Sequence, residues 1–544
     1  MKKNSTRESL GDLIKSSGIL SQLGSGSLPT LPETGDAAAQ TQNEPVQAVK
    51  PKVKLSAAGQ KRSDEVYAAI EKERRVADEV AAVKRAVLRM MKPTPKPKAP
   101  PAKTYGEQRH ETAARVNGLI STATLTVKEN RPKELDSRAI KKVDACIKRG
   151  AAKLASANRF NEGGPIMGVD FGTSSIKIVL RWPLVTGSPA IATFVPEEMR
   201  SGSLPHLWQT VVWVGADEKP SIYPKPHTKP MDGFKANLIK DADCGRYPNG
   251  VSFDEAAIAC VALHIAHAAG EEFAPLPELR STGFSGIHMA VPVATTDDKP
   301  LMDRFEAIAC RAVMLAGSAH KLSLAMIRKA MRADIPADIK ENVRVYPELA
   351  AVVAGYSGTR ERHMGPNVVI DCGAATLDIA TFILRSGEGQ AAFSTFEAKV
   401  ATLGAEAWRW AKGEGVTEND FLDTCHDLHA AVFLPTQDHR APREFGTDPA
   451  TNKKDVQLIA VGGGMNAKMY RTFTGSLAVL YGRQELHLSA PEKLKCIEGT
   501  DYSRLLLADG LARRHFDIPE FRKPSEIEDV QKKKIDYSGR YIEN

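Results

Sequence analysis

Two stretches of this 544-residue chain carry the residue types that hold an anion and a hard metal ion. Residues 168–179, GVDFGTSSIKIV, lie over residues 369–380, VIDCGAATLDIA, without a gap. Each reads as an apolar strand ending in Asp, a tight turn of small or hydroxyl residues, and a second apolar strand. Duplicated units of this kind imply two like-folded halves facing a common cleft. Small residues in such a turn let backbone amides approach a ligand, and a row of N–H groups in a concave turn binds anions. Thr173, Ser174 and Thr376 add hydroxyl donors, while Asp170 and Asp371 offer the oxygen ligands that Mg²⁺ takes through retained waters. Together they describe a metal–triphosphate site. A third cluster, LIAVGGG at 458–464, ends a strand before a helix from Met465, so that Gly462, Gly463 and Gly464 let the backbone pass against a flat ring and its ribose.

The elements that must position these residues follow from hydrophobic period. Strands are predicted at 166–169, 176–181, 210–214, 286–291, 367–370, 377–384 and 456–461, and helices at 254–270, 300–316, 348–356, 405–412, 418–431, 466–480 and 501–514. Mixed order of this kind predicts an α/β architecture with helix-covered sheets. Upstream, the first sixty residues are Ser-, Gly-, Pro- and Gln-rich and predict a disordered arm. Val66, Ile70, Val76, Val80, Val83 and Val87 predict an amphipathic helix over 62–91, ended by the Pro-rich linker at 93–103. Two further helices are predicted near 106–121 and 134–156, and the compact body is expected to begin at the turn 161–165.

Composition narrows the class. An apolar content of 42% over this length supports large cores, and seven scattered cysteines with no CxxC pair predict reduced thiols in a cytoplasmic chain. No signal-peptide core and no long uncharged apolar run is present, which predicts neither secretion nor a membrane span. The net charge of +8 divides unevenly: residues 1–160 carry 31 Lys+Arg against 17 Asp+Glu, the remainder 43 against 49. A basic arm is attached to a mildly acidic body. Interleaved Glu and Asp and few aromatics favour docking of that arm to a partner protein over nucleic acid. Asp170-Phe171-Gly172 also spells a kinase metal motif, but no HRD-type loop precedes it. Cys425, His426 and His429 lack a fourth ligand at zinc-like spacing.

The hairpins and the glycine cluster resemble the nucleotide-binding domain shared by actin, sugar kinases and heat-shock-70 (DnaK-type) chaperones. Val291-Pro292 before a helix, the segment ELAAVVAGY at 348–356, LGAEAW at 403–408 and LADGLA at 507–512 are similar to chaperone segments in the same order. The resemblance covers about residues 165–515. It implies a two-lobed actin-like ATPase fold of duplicated ribonuclease-H-like domains, with lobes at 161–360 and 361–520. A basic helical extension at 61–160 precedes them and a tail at 521–544 follows.

The resemblance also implies ATP or ADP with Mg²⁺ as cofactors. Asp170 and Asp371 would hold the metal's water shell and Thr173 would contact the terminal phosphate. Glu348 and Asp378 would orient the attacking water. Gly172, Ser174, Lys177, Gly373, Ala374, Ala375, Thr376, Gly404 and Glu406 would shape the phosphate loops, with Gly462–Gly464 facing the adenosine. Such groups supply positioning and charge neutralisation, which is most of what phosphoryl transfer needs.

The chain departs from the chaperone pattern in three ways. The second turn reads GAAT in place of three glycines. The catalytic-lysine segment reads GFKANLIK at 233–240, with Asn237 at the position in one register and Lys235 or Lys240 as substitutes. The interval from Gly404 to Val461 is short, and Asn466 stands where an Arg is usual. The implied function is a slowly hydrolysing nucleotide switch acting on a partner protein, with no following segment of peptide-binding-domain length. The alternatives are a filament-forming actin relative and a small-molecule kinase of the sugar-kinase branch.

Overall fold

Short runs of Ile, Val and Leu bounded by Gly, Pro and Asp form the strands, as their β propensity and the turn chemistry at their ends require. The computed structural model describes residues 105–122, 135–200, 205–240, 245–271, 283–292, 298–386, 391–446, 455–483 and 486–519. All belong to one compact unit that begins at Lys84. The expected arm over 1–60, the helix over 62–91, the linker at 93–103 and the tail at 521–544 lie outside the described residues.

The architecture is mixed α/β. The first sheet holds β1 (Ile166–Phe171), β2 (Ser175–Arg181), β3 (Ala190–Ala192) and β4 (Trp208–Gln209). A small three-stranded sheet follows, with β5 (Val212–Val214) between β6 (Pro220–Ser221) and β7 (Lys229–Met231). The first sheet is completed by β8 (Gly286–Val291) and β9 (Val343–Pro347). The other main sheet holds β10 (Gly365–Cys372), β11 (Leu377–Ser386), β12 (Ala391–Ala401) and β13 (Gln457–Val461). Finally β14 (Leu494–Lys495) returns to pair with β3 of the first sheet.

The strand orders are β14-β3-β2-β1-β8-β9, with β4 on β2, and β12-β11-β10-β13. The two sheets share a four-strand unit. In each, an antiparallel three-strand meander (β1-β2-β3, β10-β11-β12) is extended by one strand parallel to its first (β8, β13). Strands β1 and β13 are buried on both faces, which is why they read as continuous apolar runs.

Three apolar clusters hold the sheets. One lies with the helices of the first sheet, built on the helix Phe253–Gly270. Ser252 caps that helix reciprocally with Glu255: its hydroxyl accepts from the Glu255 amide at 3.1 Å and its amide donates to the Glu255 carboxylate at 2.7 Å. A second cluster fills the space between the sheets with the helices Glu348–Ser357 and Leu506–Leu511. A third packs the other side of the second sheet.

Two findings correct the expected boundaries. The body does not begin at residue 161: Val143, Ile147, Ala151 and Leu154 of the helix Ser137–Ala155 are part of the first cluster. That helix crosses Phe253–Gly270 in backbone contact, since a Cβ at Gly150 would lie 1.7 Å from the Ala266 carbonyl and one at Gly270 1.9 Å from that of Cys146. Likewise Val116 and Ile120 of the helix Tyr105–Thr122 are buried in the third cluster, at roughly 1.5–3 kcal/mol for each such side chain. The residues around 494–511, placed in the second lobe by the sequence, return to the first sheet. Asp509 accepts a hydrogen bond from Arg181 of β2 and another from the Tyr502 hydroxyl at 2.9 Å.

Candidate functional site

Both hairpin turns are closed by the same bond: the Gly172 amide donates to the Ser175 carbonyl at 3.1 Å, and the Gly373 amide to the Thr376 carbonyl at 2.9 Å. Pairing across the strands sets Asp170 opposite Lys177 and Asp371 opposite Asp378. The carbonyls of each turn are engaged by neighbouring chain. In the first, Thr210 donates its hydroxyl to the Gly172 carbonyl at 2.6 Å and its amide to the Ser174 carbonyl at 3.2 Å. In the second, the start of the helix Ala405–Gly413 does this. The amides of Ala405, Glu406 and Gly404 donate to the carbonyls of Gly373, Ala374 and Ala375 at 3.1, 2.8 and 2.9 Å. In a planar trans peptide the N–H points opposite to the C=O. The amides of Ala374, Ala375 and Thr376 are therefore turned away from that helix, and Ala374 and Thr376 line the cavity beside it.

This cavity has a volume of about 550 Å³. Asp170, Gly172, Thr173, Ser174 and Lys177 line it from the first hairpin, and Asp371, Gly373, Ala374 and Thr376 from the second. Glu348, Glu406 and the glycines 462–464 complete the set brought together from the sequence. Three expected residues stand behind the wall instead. Asp378 and Ala375 are buried, and Gly404 caps the helix that backs the second turn. Gly462 has φ +91°, and a Cβ there would lie 2.3 Å from both the Asp371 carboxylate and the Cys372 carbonyl. Only glycine lets β13 end this close to the acid.

The charges inside are arranged in pairs. Lys177 donates to Asp170 at 2.7 Å, Lys235 to Glu348 at 2.5 Å and Arg409 to Glu406 at 2.8 and 3.0 Å. Of the lysines left open by the sequence, Lys235 lines the cavity, whereas Lys240 donates to the Ile120 carbonyl at 2.6 Å. The Asn237 side chain donates to the Gly233 carbonyl. Burial, with Glu348 and Asp170 nearby, pushes the Asp371 carboxyl up to about 7 against the pull of Lys177 and Lys235. Burial, with Glu348 and Asp371, raises the Asp378 carboxyl well above the usual range, against the opposing pull of Thr376 and Lys235. Burial also lowers the Arg504 guanidinium from its ordinary value, which Asp501, Asp170 and Asp371 oppose.

Arg409, Arg504, Trp208 and Gln209 also line the cavity and were not singled out in the sequence. No short motif marks them. Arg504 falls inside a stretch whose period predicts one helix over 501–514, but the chain makes a 3₁₀ turn at Tyr502–Arg504 before the helix Leu506–Leu511. His429, one of the trio weighed for a metal, instead hydrogen-bonds the Tyr481 hydroxyl.

Compared with protein-family models and with curated protein sequences, the chain matches none. Among the described residues, no helix is long and apolar enough to cross a membrane.

Proposed function

We propose that the chain is an ATP·Mg²⁺-binding nucleotide switch with the two-lobed, actin-like fold of the actin, sugar-kinase and heat-shock-70 superfamily. In this reading it hydrolyses ATP slowly in the cytoplasm and acts on a partner protein through residues 1–160. The observation that carries the reading is the single cavity shared by two acid-tipped hairpins of matching register. The common four-strand unit of the two sheets supports the duplicated fold.

The residues present fit the group. Burial, with the charges of Glu348 and Asp170 nearby, raises the Asp371 carboxyl to about 7, an arrangement relieved by a cation. A bound Mg²⁺ would supply charge neutralisation to the phosphates, held through water by Asp170 and Asp371. The amides of the second turn and the hydroxyls of Thr173, Ser174 and Thr376 would receive phosphate oxygens. Glu348, fixed by Lys235, would accept a hydrogen bond from the attacking water, and the backbone at 462–464 would lie against the nucleoside.

Calorimetric titration of the full chain with ATP and Mg²⁺, followed by phosphate release, tests this. Asp170→Ala and Asp371→Ala are each expected to weaken binding about 10- to 100-fold, the range for charge-assisted contacts. Equal binding by all three proteins would remove the site.

A further inference from the structure

Four cationic side chains line the cavity: Lys177, Lys235, Arg409 and Arg504. Three are engaged by carboxylates, as described above. The fourth differs. Among the described residues Arg504 makes no ion pair and no side-chain hydrogen bond, and its buried Nε has no partner. The nearest acid in sequence, Asp501, accepts instead from the amide and hydroxyl of Ser503 at 3.0 and 2.7 Å. Arg504 packs against Gly463, where a Cβ would lie 2.7 Å from its Nη2 and 2.9 Å from its Cζ. Any side chain at that position would displace it.

Its backbone is firmly placed. The 3₁₀ turn that carries Arg504 also carries Tyr502, whose hydroxyl bonds the Asp509 carboxylate that pairs with Arg181. An unpaired, largely desolvated cation is costly to keep. A guanidinium is permanently charged, planar and suited to two-point contact with phosphate. A cavity whose other cations are already neutralised leaves this one to meet an incoming anion.

Resting on the nucleotide reading above, we propose that Arg504 binds the polyphosphate of a nucleoside di- or triphosphate and sets the preference for it over the bare nucleoside. In the chain's departure from the chaperone pattern, Arg504 would supply a cation from the last helical segment of the body, approaching the phosphates from beside the glycine cluster.

The test compares wild-type full chain with Arg504→Met and Arg504→Lys, titrated with ATP, ADP and adenosine in the presence of Mg²⁺. Arg504→Met is expected to weaken ATP and ADP about 10- to 100-fold while leaving adenosine unchanged. Arg504→Lys should recover part of the ATP affinity. Thermal unfolding of the unliganded Met variant should lie at or above wild type, since an unpaired buried charge has been removed. ATP binding by Arg504→Met equal to wild type would overturn the assignment. So would parallel loss of ATP and adenosine, which marks a structural role or a simple counter-charge. Should the Met variant fail to fold, an Arg504→Lys protein that folds with no change in the ATP-to-adenosine ratio overturns it as well. A wild-type chain that binds none of the three overturns the nucleotide reading itself.

Discussion

The two hairpins have one backbone and two electrostatic characters. Across the first, the strand-end carboxylate of Asp170 faces Lys177 and is neutralised within its own ladder; across the second, Asp371 faces another acid, Asp378. Like charges paired across a ladder are unfavourable, and burial, with Glu348 beside both, draws the two carboxyls of the second hairpin upward toward protonation. The repeated backbone thus provides two similar cradles, and one cross-strand residue decides which acid is paired within its own ladder and which is not. Two hairpins of matching register can keep one geometry while differing in electrostatics.

The comparison breaks most sharply at Lys177. Lys177→Met leaves Asp170 buried without its cation and gives the first hairpin an uncompensated acid like the second. Unfolding should then require about 3–5 kcal/mol less, the usual effect of removing one partner of a buried pair, as read by denaturant titration. A loss below 1 kcal/mol would mean that Asp170 is balanced by other groups.

Asp378→Asn does the reverse. It removes a buried acid that burial, Glu348 and Asp371 hold well above its ordinary range, so the unliganded chain should gain about 1–3 kcal/mol. A decrease of the same size would show that the contact with Thr376 outweighs the cost of burying the acid.

The smallest effect concerns pH. Burial lowers His264 and His288 to about 4. Between pH 7 and 6 the unfolded chain takes up protons at these sites that the folded chain does not, so each lowers stability by about 0.7 kcal/mol on acidification. Asp371, raised to about 7, acts in the opposite sense. Over the same interval the folded chain gains a proton there while the unfolded carboxylate stays ionised, so stability rises as pH falls. In Asp371→Asn that opposing contribution is removed, so the change in Tm from pH 7 to pH 6 should be more destabilising than in wild type. Parallel Tm profiles for the two proteins would remove the opposing contribution.

What the sequence revealed depended on whether a residue's role was written into local pattern. The hairpins were legible because alternating apolar strands, a small-residue turn and a terminal Asp are all local, and the same spacing recurs 201 residues on in both copies. The strands β9 and β12 were not. Arg344 is exposed within VRVYP, and AAFSTFEAKVA mixes small and polar residues, so neither gives a clean apolar run. The helices upstream of residue 161 were expected, but their place in the cores was not. That depends on a helix crossing between residues 150 and 270, far apart in the chain. Arg504 was hidden for a related reason: the periodicity of 501–514 is helical, and the break at Leu505 follows from packing of the C-terminal segment between sheets. Choosing Lys235 over Lys240 likewise required knowing which side of a two-turn helix faces the acid.

That short helix, Phe234–Lys240, has a reach that its size conceals. Its first turn sends the Lys235 ammonium to Glu348 inside the cavity, and its last residue sends the Lys240 ammonium to the carbonyl end of Tyr105–Thr122. The same helix rests on the second hairpin through Ala236 and Ala375. Shifting this rod to release one ammonium strains the grip of the other. The helix Tyr105–Thr122 and the wall of the cavity, far apart in sequence, are thereby held by one short strut.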